Sequence, residues 1–174
     1  MLLRRLGRPF RVVPSAYRET FRRAETPARN AMRNALGKAR AARLPRGASG
    51  IVIGADTFLY FRGRLIGKPR TMAEARRYVR ELNGNSHWVY TGLCLLDTRT
   101  GHHRLSYDKT KVAFARLPDG RLDALLVRMR PLDKAGAYAL QSSVRDLVAH
   151  LDGSRTNVIG LPLELLRREL RALN

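Results

Sequence analysis

Residues 51–57, Ile-Val-Ile-Gly-Ala-Asp-Thr, constrain the fold more than any other stretch of the chain. Three consecutive β-branched apolar residues are typical of a buried strand. Gly54 and Ala55 then leave space for another element to approach closely, and Asp56 follows where we expect the strand to end. In open α/β sheets this is the edge at which ligands bind, so a carboxylate there is placed to bind a metal ion or activate water. A plain chain turn at Asp56 and Thr57 is the alternative, which these residues alone favour.

Alternating strand and helix signals predict a single α/β domain over residues 1–174. The clearest helix begins after Thr71, because Glu74 completes a capping box and apolar residues recur at helical spacing to Leu82. The other predicted helices are 1–6, 27–43, 118–129 and one that begins at 161–162. The predicted strands are 10–13, 51–56 with an extended continuation over 58–61, 65–69, 87–96, 103–114 and 144–151.

The chain is strongly basic, with 34 Lys and Arg residues against 14 Asp and Glu and a formal charge of +20. Such a charge attracts nucleic acid or a small polyanion such as a nucleotide. The arginines are scattered, however, and aromatic residues make up only 7% of the chain, without an RNA-reading motif. A nucleic-acid partner therefore stays open but is not favoured over a general preference for Arg on solvated faces.

Several classes of protein are disfavoured by what the sequence lacks. No apolar run approaches the roughly 18 residues that cross a bilayer, and the first residues lack the apolar core of a secretory signal. Cys94 is the single cysteine, so no intramolecular disulfide or zinc ribbon can form. Walker-type, dinucleotide-binding and Gly-x-Ser-x-Gly motifs are absent. We expect a cytoplasmic protein without a membrane partner.

A set of short segments resembles one family in both order and spacing. These are 54–57 (Gly-Ala-Asp-Thr), 67–69 (Gly-Lys-Pro), 82–84 (Leu-Asn-Gly), 87–92 (His-Trp-Val-Tyr-Thr-Gly), 133–138 (Asp-Lys-Ala-Gly-Ala-Tyr) with Gln141, 153–154 (Gly-Ser) and 157–162 (Asn-Val-Ile-Gly-Leu-Pro). Each segment is weak singly, but together they resemble the Maf-type nucleotide pyrophosphatases over nearly the whole chain. The resemblance implies a Maf/ITPase-like α/β fold with a mixed central sheet flanked by helices.

The resemblance also implies an activity and a site. Members of the family hydrolyse nucleoside triphosphates to the monophosphate and pyrophosphate with a divalent cation, here Mg or Mn. Asp56 matches the catalytic aspartate, as the base or as a metal ligand, and Glu19 matches an acidic position near the metal. Lys38 and Lys68 match lysines that contact the phosphates, although each could instead be an ordinary surface charge. The family also carries the expectation of a homodimer.

Two further matches concern the base of the nucleotide. Thr57 after the catalytic aspartate and Gln141 after the tyrosine segment resemble the branch that acts on dTTP and UTP. An amide that both donates and accepts hydrogen bonds suits a pyrimidine edge. Ser142 and Ser143 stand where the family usually has glycine, which restricts the backbone near this pocket.

The match fails at the start of the chain. The family begins with a strand and a Ser-x-Ser-Pro-Arg-Arg phosphate loop, and we expect this chain, as an N-terminally truncated form, to lack both. One alternative is that Met1 is internal to a longer product that is an ordinary pyrophosphatase. The other is a relative that binds nucleotides with impaired catalysis, because lost arginine contacts to phosphate weaken transition-state stabilisation.

Overall fold

The computed structural model describes residues 2–129, 131–133, 135–138 and 146–173. The strands are β1 (Ile51–Phe61), β2 (Arg64–Ile66), β3 (Ser86–Asp97), β4 (His103–Phe114) and β5 (Val148–Asp152). The α-helices are α1 (Pro27–Arg40), α2 (Met72–Leu82), α3 (Asp119–Met129), α4 (Arg155–Ile159) and α5 (Leu163–Arg171). Short 3-10 helices span Leu2–Leu6, Pro131–Asp133 and Ala135–Ala137.

The described strands form one five-stranded sheet in the order β2-β1-β3-β4-β5. The sheet and its flanking helices confirm the α/β class. All four strand pairings are antiparallel, so the parallel part of the predicted mixed sheet is not seen among the described strands. β3 pairs with β1 from Ile51 to Tyr60, whereas β2 covers only residues 59–61 on its other side. Within the described part of the chain, the edge of residues 51–58 therefore has no strand partner.

Helix α1 packs unusually close to one face of the sheet. Its contact stripe is Ala31, Ala35 and Ala39, all fully or almost fully buried. A Cβ atom at Gly54 would overlap the carbonyl oxygen of Ala35, and one at Gly92 would overlap the backbone of Ala31. The sequence predicted close packing of small residues here, and the geometry confirms it.

The main core lies on the opposite face of the sheet. Alternate strand residues such as Leu59, Val89 and Val112 point to that face and pack with apolar side chains of α2 and α3. A second cluster joins Leu93 and Leu95 to α5. Among the described residues, α1 and the segment before it, through Phe21 against Phe58, cover part of the first face.

Most predicted elements appear within a few residues of their expected bounds, but some differ. Residues 10–13 form no strand, and the nearest sheet-like contact is an isolated bridge between Ser15 and Ala42. Helix α1 ends at Arg40, before residue 43. The last helix, α5, begins at Leu163 and not at 161–162, and Pro162 is its N-cap. Part of the predicted strand 144–151 lies outside the described residues, and β5 covers Val148–Asp152.

We predict that Gly92→Ala destabilises the protein by about 1–3 kcal/mol, because its methyl group forces α1 off the sheet. Gly120→Ala is the matched control, since nothing lies within 4 Å of its added Cβ in the first turn of α3. That control should be neutral or stabilising by about 0.4–1 kcal/mol. Urea unfolding measures both variants, and equal free energies of unfolding would contradict the close packing.

Candidate functional site

Asp56 lies in the middle of β1 and not beyond its end, so the expected position at the strand's carboxyl end is wrong. The strand continues because Thr57 to Tyr60 keep pairing with β3. Asp56 points toward α1, and only 3% of the residue is exposed. A buried carboxylate in a strand needs partners, and α1 supplies them.

Three charged side chains converge at this point. The Nζ atom of Lys38 lies 2.7 Å from Oδ1 of Asp56 and 2.6 Å from Oε1 of Glu19. The same ammonium group therefore bridges two carboxylates that come from different parts of the chain. Lys38 reaches Asp56 from α1, and Glu19 reaches Lys38 from the segment that precedes this helix.

Asn34, one turn before Lys38 on α1, holds the other side of Asp56. Its Nδ2 donates to Oδ2 of Asp56 at 2.8 Å, and the residue is fully buried. Its Oδ1 accepts from the Tyr17 hydroxyl and the Thr20 backbone N–H, both at 3.3 Å. Asn34 thus joins the carboxylate to the segment that carries Glu19.

Two more polar residues of α1 fasten that segment. Asn30 accepts from the backbone N–H of Arg22 at 2.8 Å and donates to the Arg22 carbonyl at 3.0 Å. Arg33 donates to the Thr20 carbonyl at 3.0 Å and pairs with Glu25 at 3.0 Å. Sequence reasoning missed this role of Asn30, Arg33 and Asn34. The available signal was the four-residue spacing of Asn30, Asn34 and Lys38 on one helical face.

Burial sets the protonation of the pair. Burial raises the pKa of Asp56 above its usual value, against the opposing influence of Lys38 and Asn34. Burial also disfavours the charged form of Lys38, but attraction to Asp56 and Glu19 outweighs it and raises the pKa of Lys38. Lys38 is therefore charged at neutral pH, and Asp56 takes up a proton more readily than an exposed aspartate. This property suits a base that accepts a proton from water.

A cavity of about 220 Å³ opens beside these side chains. Glu19, Lys38, Asp56, Thr57 and Lys68 all line it, so the structure brings together five of the six predicted site residues. It lies near the stretch of β1 that lacks a second strand partner among the described residues. The described wall is completed by Ala55, Leu59, Val89, Ala135, Tyr138, Val158, Ile159 and Gly160.

Thr57 lines the cavity from the other side of the sheet, because consecutive strand residues point to opposite faces. Its Oγ1 lies 2.9 Å from Oγ1 of Thr91, which in turn donates to the Asn157 carbonyl. Gln141 lies outside the described residues, so its predicted substrate contact stays a prediction.

Asp56 and Glu19 fit a small divalent cation by their chemistry. Mg²⁺ is typically held by one or two carboxylates together with substrate phosphate oxygens. The two carboxylates already share one cationic partner, Lys38. Within the described residues, no group of three or more His, Cys, Asp or Glu side chains is placed to hold a metal ion. A metal held by these two carboxylates would complete its ligand set with water or substrate oxygens.

His87 and Tyr138 form a buried pair behind the cavity. Nε2 of His87 lies 2.6 Å from the Tyr138 hydroxyl, while His87 Nδ1 is buried without a hydrogen-bond partner in the described structure. Burial lowers the pKa of His87 to about 3. His87 is thus neutral at physiological pH and joins β3 to the residues that follow the Ala135–Ala137 turn.

The comparison with known proteins decides the family. The model of the family described as "Maf-like protein" matches residues 1–173. The chain belongs to the Maf family. The resemblance read from the dispersed motifs is therefore confirmed. The expected N-terminal truncation is not borne out by the family match.

Relatives within the Maf family are named as enzymes. The chain is 40% identical over 162 residues to a dTTP/UTP pyrophosphatase of Moorella thermoacetica, which covers 93% of this chain and 83% of the relative. It is 36% identical over 173 residues to a dTTP/UTP pyrophosphatase of Bacillus cereus, and this alignment covers 99% of the chain and 84% of the relative. It is 38% identical over 164 residues to a dTTP/UTP pyrophosphatase of Syntrophus aciditrophicus, and this alignment covers 93% of the chain and 78% of the relative. In the described part of this Maf protein, no helix is both long and apolar enough to cross a membrane.

We predict that Asn34→Ala lowers the free energy of unfolding by about 1–3 kcal/mol, because Asp56 loses a buried donor. It should also lower nucleotide hydrolysis at least tenfold, since Glu19 and Asp56 lose their common support. Asn83→Ala is the matched control, because Asn83 makes two hydrogen bonds to the Leu117 backbone away from the cavity. Denaturant unfolding should show the same destabilisation in both variants. Initial rates should be unchanged in Asn83→Ala. An equal rate loss in both variants would contradict the role of Asn34.

We predict that His87 makes the protein less stable as the pH falls from about 6.5 toward about 3. Its pKa is about 3 in the folded chain against 6.5 in the unfolded one, so only the unfolded chain takes up the proton in this window. The contribution approaches 1.4 kcal/mol per pH unit. His87→Phe should flatten the stability profile, whereas exposed His102→Phe should not. Urea unfolding across this range is the test, and identical slopes for wild type and His87→Phe would refute it.

Proposed function

We propose that this Maf protein hydrolyses nucleoside triphosphates to the monophosphate and pyrophosphate, with dTTP and UTP as substrates. The observation that carries the proposal is the buried Asp56, held by Lys38 and Asn34 at a cavity that Lys68 also lines. The names of the relatives support the reaction and the two substrates.

The reaction follows from the charges around the cavity. Asp56 accepts a proton from a water molecule, and the water oxygen attacks the α-phosphorus. The bond from the α-phosphorus to the bridging oxygen breaks, and pyrophosphate leaves with the bonding electrons. Lys38 and Lys68 offset the negative charge that gathers on the phosphate oxygens. Asp56 then returns its proton to solvent.

A divalent cation fits this scheme as a cofactor. Asp56 and Glu19 are the residues that would hold it, and a bound Mg²⁺ or Mn²⁺ would neutralise phosphate charge and make water more acidic. Glu19 lies next to Asp56 only through Lys38, so the three side chains act as one unit. A change in any one of them alters the charge that the other two experience.

Substrate choice is the finer part of the proposal. Thr57 lines the cavity beside Gly160, and Gln141 follows in sequence the Tyr138 that forms part of the same wall. We assign to these two residues the recognition of the pyrimidine base. A cytoplasmic location, where the nucleotide pool is found, fits the same function.

We predict that Asp56→Asn lowers the rate of pyrophosphate release from dTTP and UTP by about 10²–10⁴-fold, because the amide cannot accept the proton. The amide has the same shape and can keep one of the hydrogen bonds. Asp123→Asn is the matched control. Asp123 is a surface carboxylate that pairs with Arg76 on α2.

The assay measures pyrophosphate with a coupled enzyme at saturating nucleotide and Mg²⁺. Asp123→Asn should retain the wild-type rate, which shows that loss of a carboxylate alone is harmless. Thermal unfolding confirms that both variants are folded. If Asp56→Asn releases pyrophosphate as fast as wild type, the assignment of Asp56 as the base is wrong. If wild type itself releases none, the proposed hydrolysis is wrong.

A further inference from the structure

Helix α1 leaves part of the sheet face on its side uncovered. Alternate residues of β4 from His103 to Lys111 are all exposed on this face, including Tyr107 at 44% exposure. The neighbouring strands add half-buried aromatic side chains to the same surface. We call this surface the aromatic face, and it consists of Tyr60, Trp88, Tyr90, Tyr107, Lys109 and Lys111.

The rings of the aromatic face form a connected row. The ring centroids of Tyr60 and Tyr90 are 6.3 Å apart, and those of Tyr90 and Tyr107 are 6.4 Å apart in a nearly parallel arrangement. Tyr90 also stacks on buried Phe58 with a centroid distance of 6.2 Å, which fixes its position in the sheet. The row of rings is therefore held by strands rather than by loops.

Positive charge lies among these rings. The Nζ atom of Lys109 is 5.0 Å from the ring centroid of Trp88. In the sheet register Lys109 is opposite Tyr90, and Lys111 is opposite Trp88. Asp152 of β5 is opposite Lys111 and partly offsets its charge. Lys109 has no ion-pair partner among the described residues, and the whole chain carries +20.

We propose that the aromatic face binds single-stranded nucleic acid, with unpaired bases stacked on Tyr90 and Tyr107 and phosphates near Lys109 and Lys111. Open sheet faces that carry aromatic and basic residues bind single strands because every base offers a π-face and every phosphate a negative charge. In a duplex the base faces are stacked inside and out of reach of this surface. A second copy of the chain is disfavoured, because it would bring the lysines of two faces together.

The aromatic face is separate from the proposed hydrolysis site. Lys38 contacts Asp56 on β1 and also pairs with Glu19. Tyr107 lies on β4, two strands from β1, where it is opposite Gly92 in the register. None of its six residues lines the cavity beside Asp56. The inference therefore does not depend on the hydrolysis of dTTP or UTP, and it can be tested even if that activity fails.

Fluorescence anisotropy with labelled oligo-dT and oligo-U of about twelve nucleotides tests the proposal. The full chain is titrated into each probe at about 0.15 M salt, alongside a duplex of equal length. Wild type should bind both single strands saturably and more tightly than the duplex. Tyr107→Ala should weaken binding about five- to hundredfold, whereas Tyr107→Phe keeps the ring and should bind like wild type.

A pair of charge variants separates this face from the general basic charge. Lys109→Gln should weaken binding and reduce the slope of log K against log salt by about 0.7. Arg128→Gln removes the same charge from exposed α3 on the opposite side of the sheet, and it should change neither quantity. The kcat/KM for UTP should be unchanged in the Tyr107 and Lys109 variants.

Four results would overturn the proposal. They are absence of saturable binding by wild type, equal affinity for duplex, an equal loss in Arg128→Gln and Lys109→Gln, and equal affinity of wild type and Tyr107→Ala. Two further readouts identify another role for the face. A smaller sedimenting species for Tyr107→Ala would assign it to self-association, and a raised KM for UTP would assign it to the substrate; either replaces the proposal.

Discussion

The close contact between α1 and the sheet is the constraint on which the site depends. Ala31 and Ala35 lie against Gly92 and Gly54, and no side chain separates the helix backbone from the strands. At this short separation Asn34 reaches Asp56 directly, and Lys38 does so from the next turn. Larger residues in the contact would move the helix outward and leave Asp56 buried without partners, which is costly for a charged group.

The charges at this contact serve position more than stability. Removing a carboxylate and an ammonium from water costs several kcal/mol per ion, which their attraction offsets only when the geometry is good. Here Lys38 has two carboxylate partners and Asp56 a further amide donor, so the pair is well supported. The result is a carboxylate held rigidly at a cavity, with ammonium groups beside it. This arrangement suits chemistry on a polyphosphate better than it suits a core.

The excess of basic residues acts at two scales. Several arginines pair locally, as Arg33 does with Glu25 and Arg64 with Glu81, so part of the charge supports the fold. With 34 basic residues against 14 acidic ones, most of the positive charge stays available to attract polyanions. Nucleotides and single-stranded nucleic acids both carry phosphates, but they need different surfaces. A nucleotide needs a concave site, and a single strand needs an open face. The cavity beside Asp56 and the aromatic face meet these two needs.

The sequence by itself determined most of the helices and strands, the family and the identity of Asp56, Lys38, Lys68 and Glu19 as candidates, because capping residues, periodicity and short motifs are local features. Only the tertiary structure placed Asp56 inside β1, recruited Asn34 from 22 residues away and gathered Tyr60, Tyr90 and Tyr107 on one face. The reason is that strand register and the position of α1 decide which distant side chains meet. No single stretch of the chain determines strand register or the position of α1, since both result from the packing of the whole sheet.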